Sequence, residues 1–314
     1  MNKEPLVSVC VACYNHQKYV ADFLESLLDQ TYTNIEVIIA DDCSTDNSVS
    51  IIKSYLPKLE KKFTNVIFKA NKTNLGITKN SNNLMRAATG KYYKSMASDD
   101  VFYPEAIEKM VEFMEEHEEC GLLLANVLFV GDSYKYKSNG GVIGKGYKKS
   151  IKDKLESEKL CYNLLDKIFI YAPGVIIRKN VIEKYGYYDE NMLVEDYEYW
   201  LRLSSRGVKF GYIDEPLIYY RRGESSISYV STKNGKKKMD YMISSEIQAK
   251  SKYIHLLSNE ERVRFYSRMF NLKIHDCISM NYIDLAIKLY NTAKKKAIPI
   301  EYSLLDIILR KNVF

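Results

Sequence analysis

The sequence has no long hydrophobic run and no recognisable export signal. No stretch approaches the roughly 18 uncharged apolar residues that a helix needs to cross a bilayer. The N-terminus also lacks a basic segment followed by a long apolar segment and a cleavage site. These absences argue against a membrane-spanning or exported chain, and we expect a cytoplasmic protein.

Glycine-rich phosphate loops and zinc motifs are also missing. Neither G-x-G-x-x-G after a strand nor G-x-x-x-x-G-K-[ST] occurs. Cys10 and Cys13 form a C-x-x-C, but no second pair or nearby His completes a metal site. They lie in the β-type run LVSVCVACY, where residues three apart point to opposite faces, so we predict buried free thiols. The scattered histidines are predicted to be surface or core residues: His16, His117, His255 and His275.

What is present is typical of a soluble globular protein. The 314 residues are 46% hydrophobic and 27% charged. The net charge of +6 is too small to argue for nucleic acid, and no such partner is expected. Tyrosine is abundant, with 27 residues against one tryptophan. Contact with polar ligands and an AT-rich coding bias would both explain this excess, and the sequence leaves both open.

The first 125 residues alternate between two apolar patterns. Short continuous apolar runs are typical of strands buried on both faces of a parallel sheet. Segments with helical spacing separate them, which implies βαβ units with right-handed crossovers. The predicted strands are LVSVCVACY, IEVIIADD, NVIFKA, KYYKSMA and GLLLANVLFV. Ser44 or Thr45 is placed to cap the second helix, and Pro104 is expected at the first position of the fourth.

The later sequence is less regular. Residues 131–150 are rich in Gly, Lys and Tyr without a period, which indicates a loop or mobile flap. A helix near 153–165, a strand at GVIIR and a helix with Trp200 inside should follow. VKFGYID and PLIYYRR are predicted as two further strands. From about residue 230 the pattern is helical to the end.

Pairs of carboxylates lie at the ends of predicted elements. Asp41 and Asp42 end the second strand, and Asp99 and Asp100 end the fourth. Because ligands of open α/β sheets bind outside the carboxyl ends of the strands, both pairs should line one crevice. Such acids could simply precede a helix, or they could hold Mg²⁺ or Mn²⁺ against a diphosphate.

Several segments together resemble a known family. VSVCVACYN, IIADDCSTDNS, NLGITKN, SDD, VEDYEYWLRL and YYRRGES resemble, in order and spacing, the inverting glycosyltransferase family 2 over residues 5–228. The resemblance implies the GT-A fold, an α/β architecture with a Rossmann-like, mostly parallel central sheet flanked by helices. It implies a nucleotide-sugar-binding half at 1–125 and an acceptor half at 126–228. Residues 229–314 would form a helical C-terminal extension.

The resemblance also implies which residues bind the donor. Ala12, Tyr14 and Asn15 match the turn around the nucleobase, and the family's Tyr commonly stacks on uracil. Asp42 matches the acid that hydrogen-bonds the base. Lys79 lies where the family usually has an Arg near the nucleobase or phosphate.

The remaining matches concern the metal, the diphosphate and catalysis. Asp99 and Asp100 match the DxD-type motif, in which the first acid lies near the ribose and the second ligates Mn²⁺ or Mg²⁺. Asp196 matches the general base. Arg221 or Arg222 would supply positive charge near the diphosphate.

Two positions depart from the family pattern. Many relatives have another acid where this chain has Ala97, which could lower the affinity for metal. The Y-R-x-H segment has Gly223 in place of its His, which puts the closing contact near the diphosphate in doubt. The role of Glu195, beside Asp196, stays open between orienting an acceptor and holding structure.

The resemblance therefore predicts an inverting transferase that moves a sugar from a nucleotide-sugar, UDP-linked in the leading interpretation, to a glycan hydroxyl. The expected acceptor is a polyprenyl-diphosphate-linked glycan of O-antigen, capsule or a related surface polysaccharide. Basic C-terminal segments, such as Lys236–Lys238 and Lys294–Lys296, could contact the membrane surface. The alternatives are a non-catalytic nucleotide- or sugar-binding module and a nucleotidyltransferase.

Overall fold

The computed structural model describes most of the chain. It covers residues 4–138, 142–146, 151–155, 159–166, 169–192, 195–222, 235–279 and 281–300. Nine strands lie in these ranges: β1 Val7–Cys13, β2 Ile35–Asp41, β3 Asn65–Ala70, β4 Tyr92–Ala97, β5 Val101–Phe102, β6 Cys120–Val130, β7 Val142–Lys145, β8 Val175–Arg178 and β9 Lys209–Arg221.

Eleven α-helices lie in the same ranges. Seven belong to the region before residue 190: α1 Val20–Leu28, α2 Ser48–Lys62, α3 Ile77–Ala87, α4 Ala106–Glu116, α5 Ile151–Leu155, α6 Leu160–Asp166 and α7 Lys179–Tyr185. Four follow: α8 Glu195–Ser205, α9 Gly235–Tyr253, α10 Asn259–Ser279 and α11 Ile283–Lys295.

One mixed sheet joins the strands in the order β3-β2-β1-β4-β8-β6-β9-β5, with β7 beside β6. The first four are parallel to one another, which confirms the parallel strand pairing predicted for the βαβ units. β8 then runs antiparallel to both β4 and β6, while β6 and β9 are parallel. The sheet is therefore parallel from β3 to β4 and mixed from β4 to β5.

The two faces of β1 contribute to two separate hydrophobic clusters. Cys10 belongs to the cluster that also contains Tyr93 and Trp200, whereas Cys13 packs in the cluster of Phe23 and Phe102. Both cysteines are buried free thiols, as predicted. Alternation along a strand explains the arrangement, because positions three apart face opposite sides.

Several predicted boundaries were wrong. Residues 131–150 contain a strand, β7, which pairs with β6. The two strands predicted from VKFGYID and PLIYYRR form the single strand β9. Pro216 lies at a shift in the register between β6 and β9. Such irregularities are places where a strand tolerates proline.

The predicted helix starts were also shifted. α2 begins at Ser48 rather than after Ser44 or Thr45, whose hydrogen bonds are made with the neighbouring strand ends. Pro104 precedes α4 by two residues and does not occupy its first position. Sequence patterns locate helices better than their first residues because tertiary contacts compete for the capping side chains.

The helices α9 to α11 pack on the same hydrophobic cluster as α8. Ala249 of α9, Phe265 of α10 and Leu289 of α11 all belong to the cluster that contains Trp200. None of the described helices combines the length and apolar character needed to cross a membrane. The predicted boundary at residue 228 lies outside the described residues, and the boundary at residue 125 lies within β6.

Candidate donor and catalytic site

The ends of β1, β2 and β4 lie side by side at one edge of the sheet. Cys13 is opposite Asp41 on β2, and Ala12 is opposite Ala97 on β4. The segments that follow these three strands therefore leave the sheet next to one another. Both acidic pairs therefore follow strands that end at the same edge of the sheet, and the expectation that they line one crevice stays a prediction.

The turn after β1 is held against the turn after β2. Asn15 adopts a φ of 55°, and its Oδ1 accepts the backbone N–H of Thr45 at 2.8 Å. Its own N–H donates to the Ser44 hydroxyl at 2.8 Å. Ala12 is partly buried, whereas the Tyr14 side chain is 45% exposed beside this fixed turn. An exposed ring on a rigid turn is a suitable surface for stacking a base.

Each carboxylate oxygen of the first acidic pair accepts at least one hydrogen bond. The carboxylate of Asp41 accepts the backbone N–H and the hydroxyl of Ser44 at 2.9 and 2.6 Å. Asp42 accepts the amide of Asn71 at 3.0 Å and the backbone N–H groups of Leu75 and Gly76 at 2.8 and 2.9 Å. Asp42 therefore shapes the loop that leads into α3.

Lys79 lies in the first turn of α3 and is exposed. Asp42 holds the loop directly before α3, so Lys79 begins the helix that follows this loop. A flexible, solvated ammonium at this position can reach an anionic ligand without first breaking a buried contact.

The second acidic pair differs in having a buried oxygen without a donor. Asp100 is 1% exposed, and its Oδ1 accepts the backbone N–H of Arg221 at 2.9 Å. Within the described residues, its Oδ2 is buried and has no hydrogen-bond partner. Burial, reinforced by the charge of Asp99, raises the pKa of Asp100 well above its usual range. A buried carboxylate oxygen of this kind is costly unless something binds it.

His16 lies at the same edge, although the sequence analysis did not assign it to the site. Its Nδ1 is 2.9 Å from the Ser98 hydroxyl and 3.9 Å from Oδ1 of Asp99. The only signal in the sequence is its position directly after Tyr14 and Asn15. That His16 is a surface or core residue rather than a ligand stays a prediction.

Lys94 is a second residue that the sequence analysis missed. It is fully buried on β4, where Nζ donates to the carbonyl oxygens of Pro173 and Ser95. Burial lowers the pKa of Lys94 to about 7, and the charge of Asp100 opposes that change. A lysine in the middle of the apolar run KYYKSMA was the available signal. The Lys94 side chain is on β4, the strand that precedes Asp99 and Asp100.

The two arginines at the end of β9, Arg221 and Arg222, have different surroundings. Arg221 is 1% exposed, and its guanidinium donates to backbone carbonyls, including that of Asp99 at 2.9 Å. Arg222 is only partly buried, with its guanidinium 4.9 Å from the centroid of the Phe129 ring. Its Nε is buried and lacks a hydrogen-bond partner among the described residues. Gly223 lies outside those residues.

Glu195 and Asp196 begin α8. Burial raises the pKa of Asp196 to about 6, against the effect of backbone N–H groups that favour its ionised form. Burial and the charge of Asp196 raise the pKa of Glu195 to about 8. Burial is the main cause of the raised pKa of Tyr93 on β4, and Glu195 is one of the charges that add to it. The start of α8 thus lies on the face of the sheet that carries Tyr93.

The acidic edge fits a divalent cation that is completed by an anionic ligand. Asp100 offers a buried, unpartnered oxygen, and Asp99 offers a second carboxylate. Among the residues that the structure describes, no three or more His, Cys, Asp or Glu side chains cluster as a metal site. Mg²⁺ and related ions are commonly held by one or two carboxylates together with water and substrate phosphates.

Comparison with known proteins decides the family. The family model described as glycosyl transferase family 2 matches residues 8–186, more than half of the chain. The chain belongs to glycosyl transferase family 2. It is therefore a transferase, and the resemblance drawn from its motifs is confirmed.

Curated relatives of this family 2 glycosyltransferase come from distant organisms. An uncharacterised glycosyltransferase of Methanocaldococcus jannaschii is 29% identical over 69% of this chain and 71% of its own length. One from Haemophilus influenzae is 30% identical over 70% of this chain and 67% of its own length. TarS of Staphylococcus aureus, a poly(ribitol-phosphate) β-N-acetylglucosaminyltransferase, is 29% identical over 71% of this chain and 37% of its own length.

Solved structures confirm the GT-A fold of this family 2 glycosyltransferase. The crystal structure of TarS residues 1–349 with UDP-GlcNAc has a TM-score of 0.58 at 19% identity and covers 92% of this chain and 87% of that one. A mannosyltransferase of Pyrobaculum calidifontis with GDP-Man and Mn²⁺ has a TM-score of 0.57 at 13% identity, covering 99% and 87%. The predicted α/β architecture with a central sheet flanked by helices is thus correct.

Proposed function

We propose that this glycosyltransferase moves a sugar from a nucleotide-sugar to a hydroxyl of a glycan acceptor, with inversion at the anomeric carbon. The observation that carries the proposal is the unpartnered oxygen of Asp100, at the edge where Tyr14 and Asp42 also lie. A buried carboxylate with a free oxygen beside an exposed ring suits a ligand that combines a base with a metal-bound diphosphate.

The donor is proposed to be a UDP-linked hexose or N-acetylhexosamine. Tyr14 would stack on the base, with Ala12 and Asn15 forming the turn around it. Asp42 would hydrogen-bond the base and Lys79 would approach the base or phosphate. The complex of the structurally similar TarS with UDP-GlcNAc supports a UDP-sugar.

Asp100 and Asp99 would hold Mn²⁺ or Mg²⁺, with Asp99 also near the ribose. When bound, the cation would act as a Lewis acid that offsets negative charge on the UDP leaving group. Of the two arginines, we assign contact with the diphosphate to Arg222. The guanidinium of Arg221 already donates to backbone carbonyls through Nε and Nη1, and its remaining nitrogen, Nη2, is buried beside the carboxylate of Asp22.

Asp196 is proposed as the general base. It would accept the proton of the acceptor hydroxyl as that oxygen forms a bond to the anomeric carbon and the bond to the UDP oxygen breaks. A single displacement of this kind inverts the configuration, so an α-linked donor gives a β-linkage. With a pKa of about 6, Asp196 is mainly ionised at neutral pH and can accept the proton.

The acceptor is proposed to be a lipid-linked glycan of a surface polysaccharide such as O-antigen or capsule. A teichuronic acid biosynthesis glycosyltransferase of Bacillus subtilis is 36% identical over 115 residues, which supports polysaccharide synthesis. Lys294, Lys295 and Lys296 are exposed at the end of α11. A positive surface there would favour contact with anionic lipid.

Replacing Asp196 by Asn tests the mechanism. We expect Asp196→Asn to lower kcat by about 10²–10⁴-fold, because the acceptor hydroxyl loses its proton acceptor. The KM for the donor should change little. In the wild-type protein, kcat should rise with pH through about 6 and then level, since only ionised Asp196 is active.

The measurement is UDP release from a panel of UDP-sugars with Mn²⁺ and a glycan acceptor. Asp153→Asn, which changes an exposed carboxylate on α5, is the control and should keep full activity. Full activity of Asp196→Asn would refute its role as base. Donor binding without release from any donor would favour a non-catalytic binding module.

A further inference from the structure

The side chain of Arg221 is enclosed in the protein although it carries a charge and ends a strand. Its guanidinium carbon lies 4.5 Å from the centroid of the Tyr19 ring and 5.7 Å from that of Tyr134. A buried guanidinium must find acceptors or an opposite charge, because an unpaired buried charge is costly. The groups that it contacts therefore indicate its role.

Backbone carbonyls accept most of the hydrogen bonds of this guanidinium. Nε donates to the carbonyl oxygen of Asp99 at 2.9 Å. Nη1 donates to the carbonyl oxygens of Gly131 and Tyr134 at 2.9 and 3.0 Å. Nη2 is 3.7 Å from the carboxylate of Asp22 on α1. The side chain thus joins the Asp99–Asp100 turn, the segment after β6 and the helix α1.

The main chain of the same residue holds the carboxylate of Asp100. The backbone N–H of Arg221 donates to Oδ1 of Asp100 at 2.9 Å. Arg221 therefore contacts the acidic turn twice, at the carbonyl of Asp99 and at the carboxylate of Asp100. With Oδ1 held, the orientation of the carboxylate is limited, and Oδ2 is the oxygen left for another ligand.

We propose that Arg221 is a positioning residue, which fixes the turn at Asp99 and Asp100 so that Oδ2 of Asp100 is presented in one orientation. The inference rests on the proposed function, in which Asp100 ligates the cation. It assigns to Arg221 a role different from the direct diphosphate contact that the resemblance implied. Hydrogen bonds behind a ligating carboxylate typically change metal affinity by about 10–100-fold when they are lost.

Substitution by lysine separates the two roles. Arg221→Lys keeps the positive charge but replaces a planar, five-donor group with a single ammonium, which cannot bind three carbonyls in the same geometry. If Arg221 only supplied charge to a diphosphate, lysine would substitute well. If Arg221 positions the acidic turn, Arg221→Lys should weaken Mn²⁺ binding even in the absence of nucleotide.

Arg178 provides a matched control at the end of the strands opposite the acidic turn. It is also a buried arginine at the end of a strand, and its guanidinium donates to the carbonyl oxygens of Cys120 and His117 at 2.7 and 3.1 Å. It lies over the Tyr92 ring, 5.4 Å from the centroid. Because Arg178 pairs with Tyr92 at the start of β4, it is remote from the acidic turn at the end of that strand.

The experiment measures two affinities of the folded full-length proteins. Electron paramagnetic resonance follows the binding of Mn²⁺ alone, and calorimetry in EDTA gives the ratio of UDP to uridine affinity. We expect Arg221→Lys to weaken Mn²⁺ binding by about 10–100-fold and to leave the UDP-to-uridine ratio unchanged. Arg178→Lys should lower thermal stability to a similar extent while leaving Mn²⁺ affinity at the wild-type value.

Several results would overturn the inference. Unchanged Mn²⁺ affinity with a reduced UDP-to-uridine ratio would show that Arg221 contacts the diphosphate directly. Equal losses of Mn²⁺ affinity in Arg221→Lys and Arg178→Lys would show that the loss comes from general destabilisation of the protein. Failure of the wild-type protein to bind Mn²⁺ both alone and with UDP would refute the proposed metal site and this inference together, whereas normal wild-type binding with no effect of Arg221→Lys refutes only the inference.

A second variant keeps the test decisive if Arg221→Lys does not fold. Asp22→Asn leaves Arg221 in place and removes the carboxylate 3.7 Å from its Nη2. A loss of Mn²⁺ affinity that is smaller than the loss in Arg221→Lys supports the inference, because Asp22 acts on the acidic turn only through Arg221. Wild-type Mn²⁺ affinity in Asp22→Asn would count against it.

Discussion

Asp41–Asp42 and Asp99–Asp100 are the same dipeptide at the ends of β2 and β4, yet their surroundings differ. The carboxylates of the first pair accept five hydrogen bonds from side chains and backbone within the protein. Asp100 accepts one from the backbone of Arg221 and keeps a buried oxygen without a partner among the described residues. The first pair organises loops, whereas the second keeps the free oxygen to which we assign the proposed cation.

The chain that follows each pair explains the difference. Cys43 adopts a φ of 68°, which turns the backbone so that Ser44 returns to Asp41. The loop before α3 then encloses Asp42 with two backbone N–H groups. After Asp100 the chain enters the short strand β5 directly, so no local backbone folds back over its carboxylate. Among the described residues, the hydrogen-bond donor to this carboxylate comes from β9, far along the chain.

The largest expected effect comes from the second pair. Asp100→Asn should weaken Mn²⁺-dependent UDP binding by at least about 100-fold, because the free oxygen loses its charge. Thermal stability should be equal to or above that of the wild type, since a buried charge is removed. Calorimetry with and without Mn²⁺, together with a thermal melt, measures both effects. If UDP binding by Asp100→Asn still depended on Mn²⁺, the two acidic pairs would not differ in metal binding.

A smaller and different effect is expected for the first pair. Asp42→Asn should lower the free energy of unfolding by about 1–3 kcal/mol, because an amide cannot accept all of the N–H groups that the carboxylate accepts. Mn²⁺ affinity should stay at the wild-type value. Urea denaturation measures the first quantity and paramagnetic resonance the second. Loss of Mn²⁺ affinity without loss of stability would reverse the comparison between the pairs.

The smallest effect concerns the turn beside both pairs. Tyr14→Ala should weaken UDP binding by about 10-fold, because stacking on a base contributes about 1–3 kcal/mol. Stability should not change, as the ring is 45% exposed. Tyr162→Ala, which removes a ring that is 43% exposed on α6, is the control and should not alter UDP affinity. Equal UDP affinity of Tyr14→Ala and the wild type would exclude stacking.

Prediction from the sequence succeeded where local patterns were sufficient. β1 to β4 and their helices follow from short apolar runs and helical spacing, and the meeting of the acidic pairs follows from parallel strand order. Prediction failed at β7 and at the continuous strand β9, whose existence depends on pairing with β6. Long-range pairing leaves little trace in the residues of one strand.

The sequence by itself determined the parallel half of the sheet, the family and the placement of Asp42, Asp99 and Asp100 after strands that end at one edge of the sheet, because hydrophobic periodicity and motif order are local properties. Only the tertiary structure decided that both oxygens of Asp42 accept hydrogen bonds, whereas Oδ2 of Asp100 has no partner among the described residues, and that Arg221 is buried behind the acidic turn. Those distinctions depend on which distant backbone groups reach each carboxylate. Hydrogen bonding and desolvation are properties of the packed molecule rather than of a residue type.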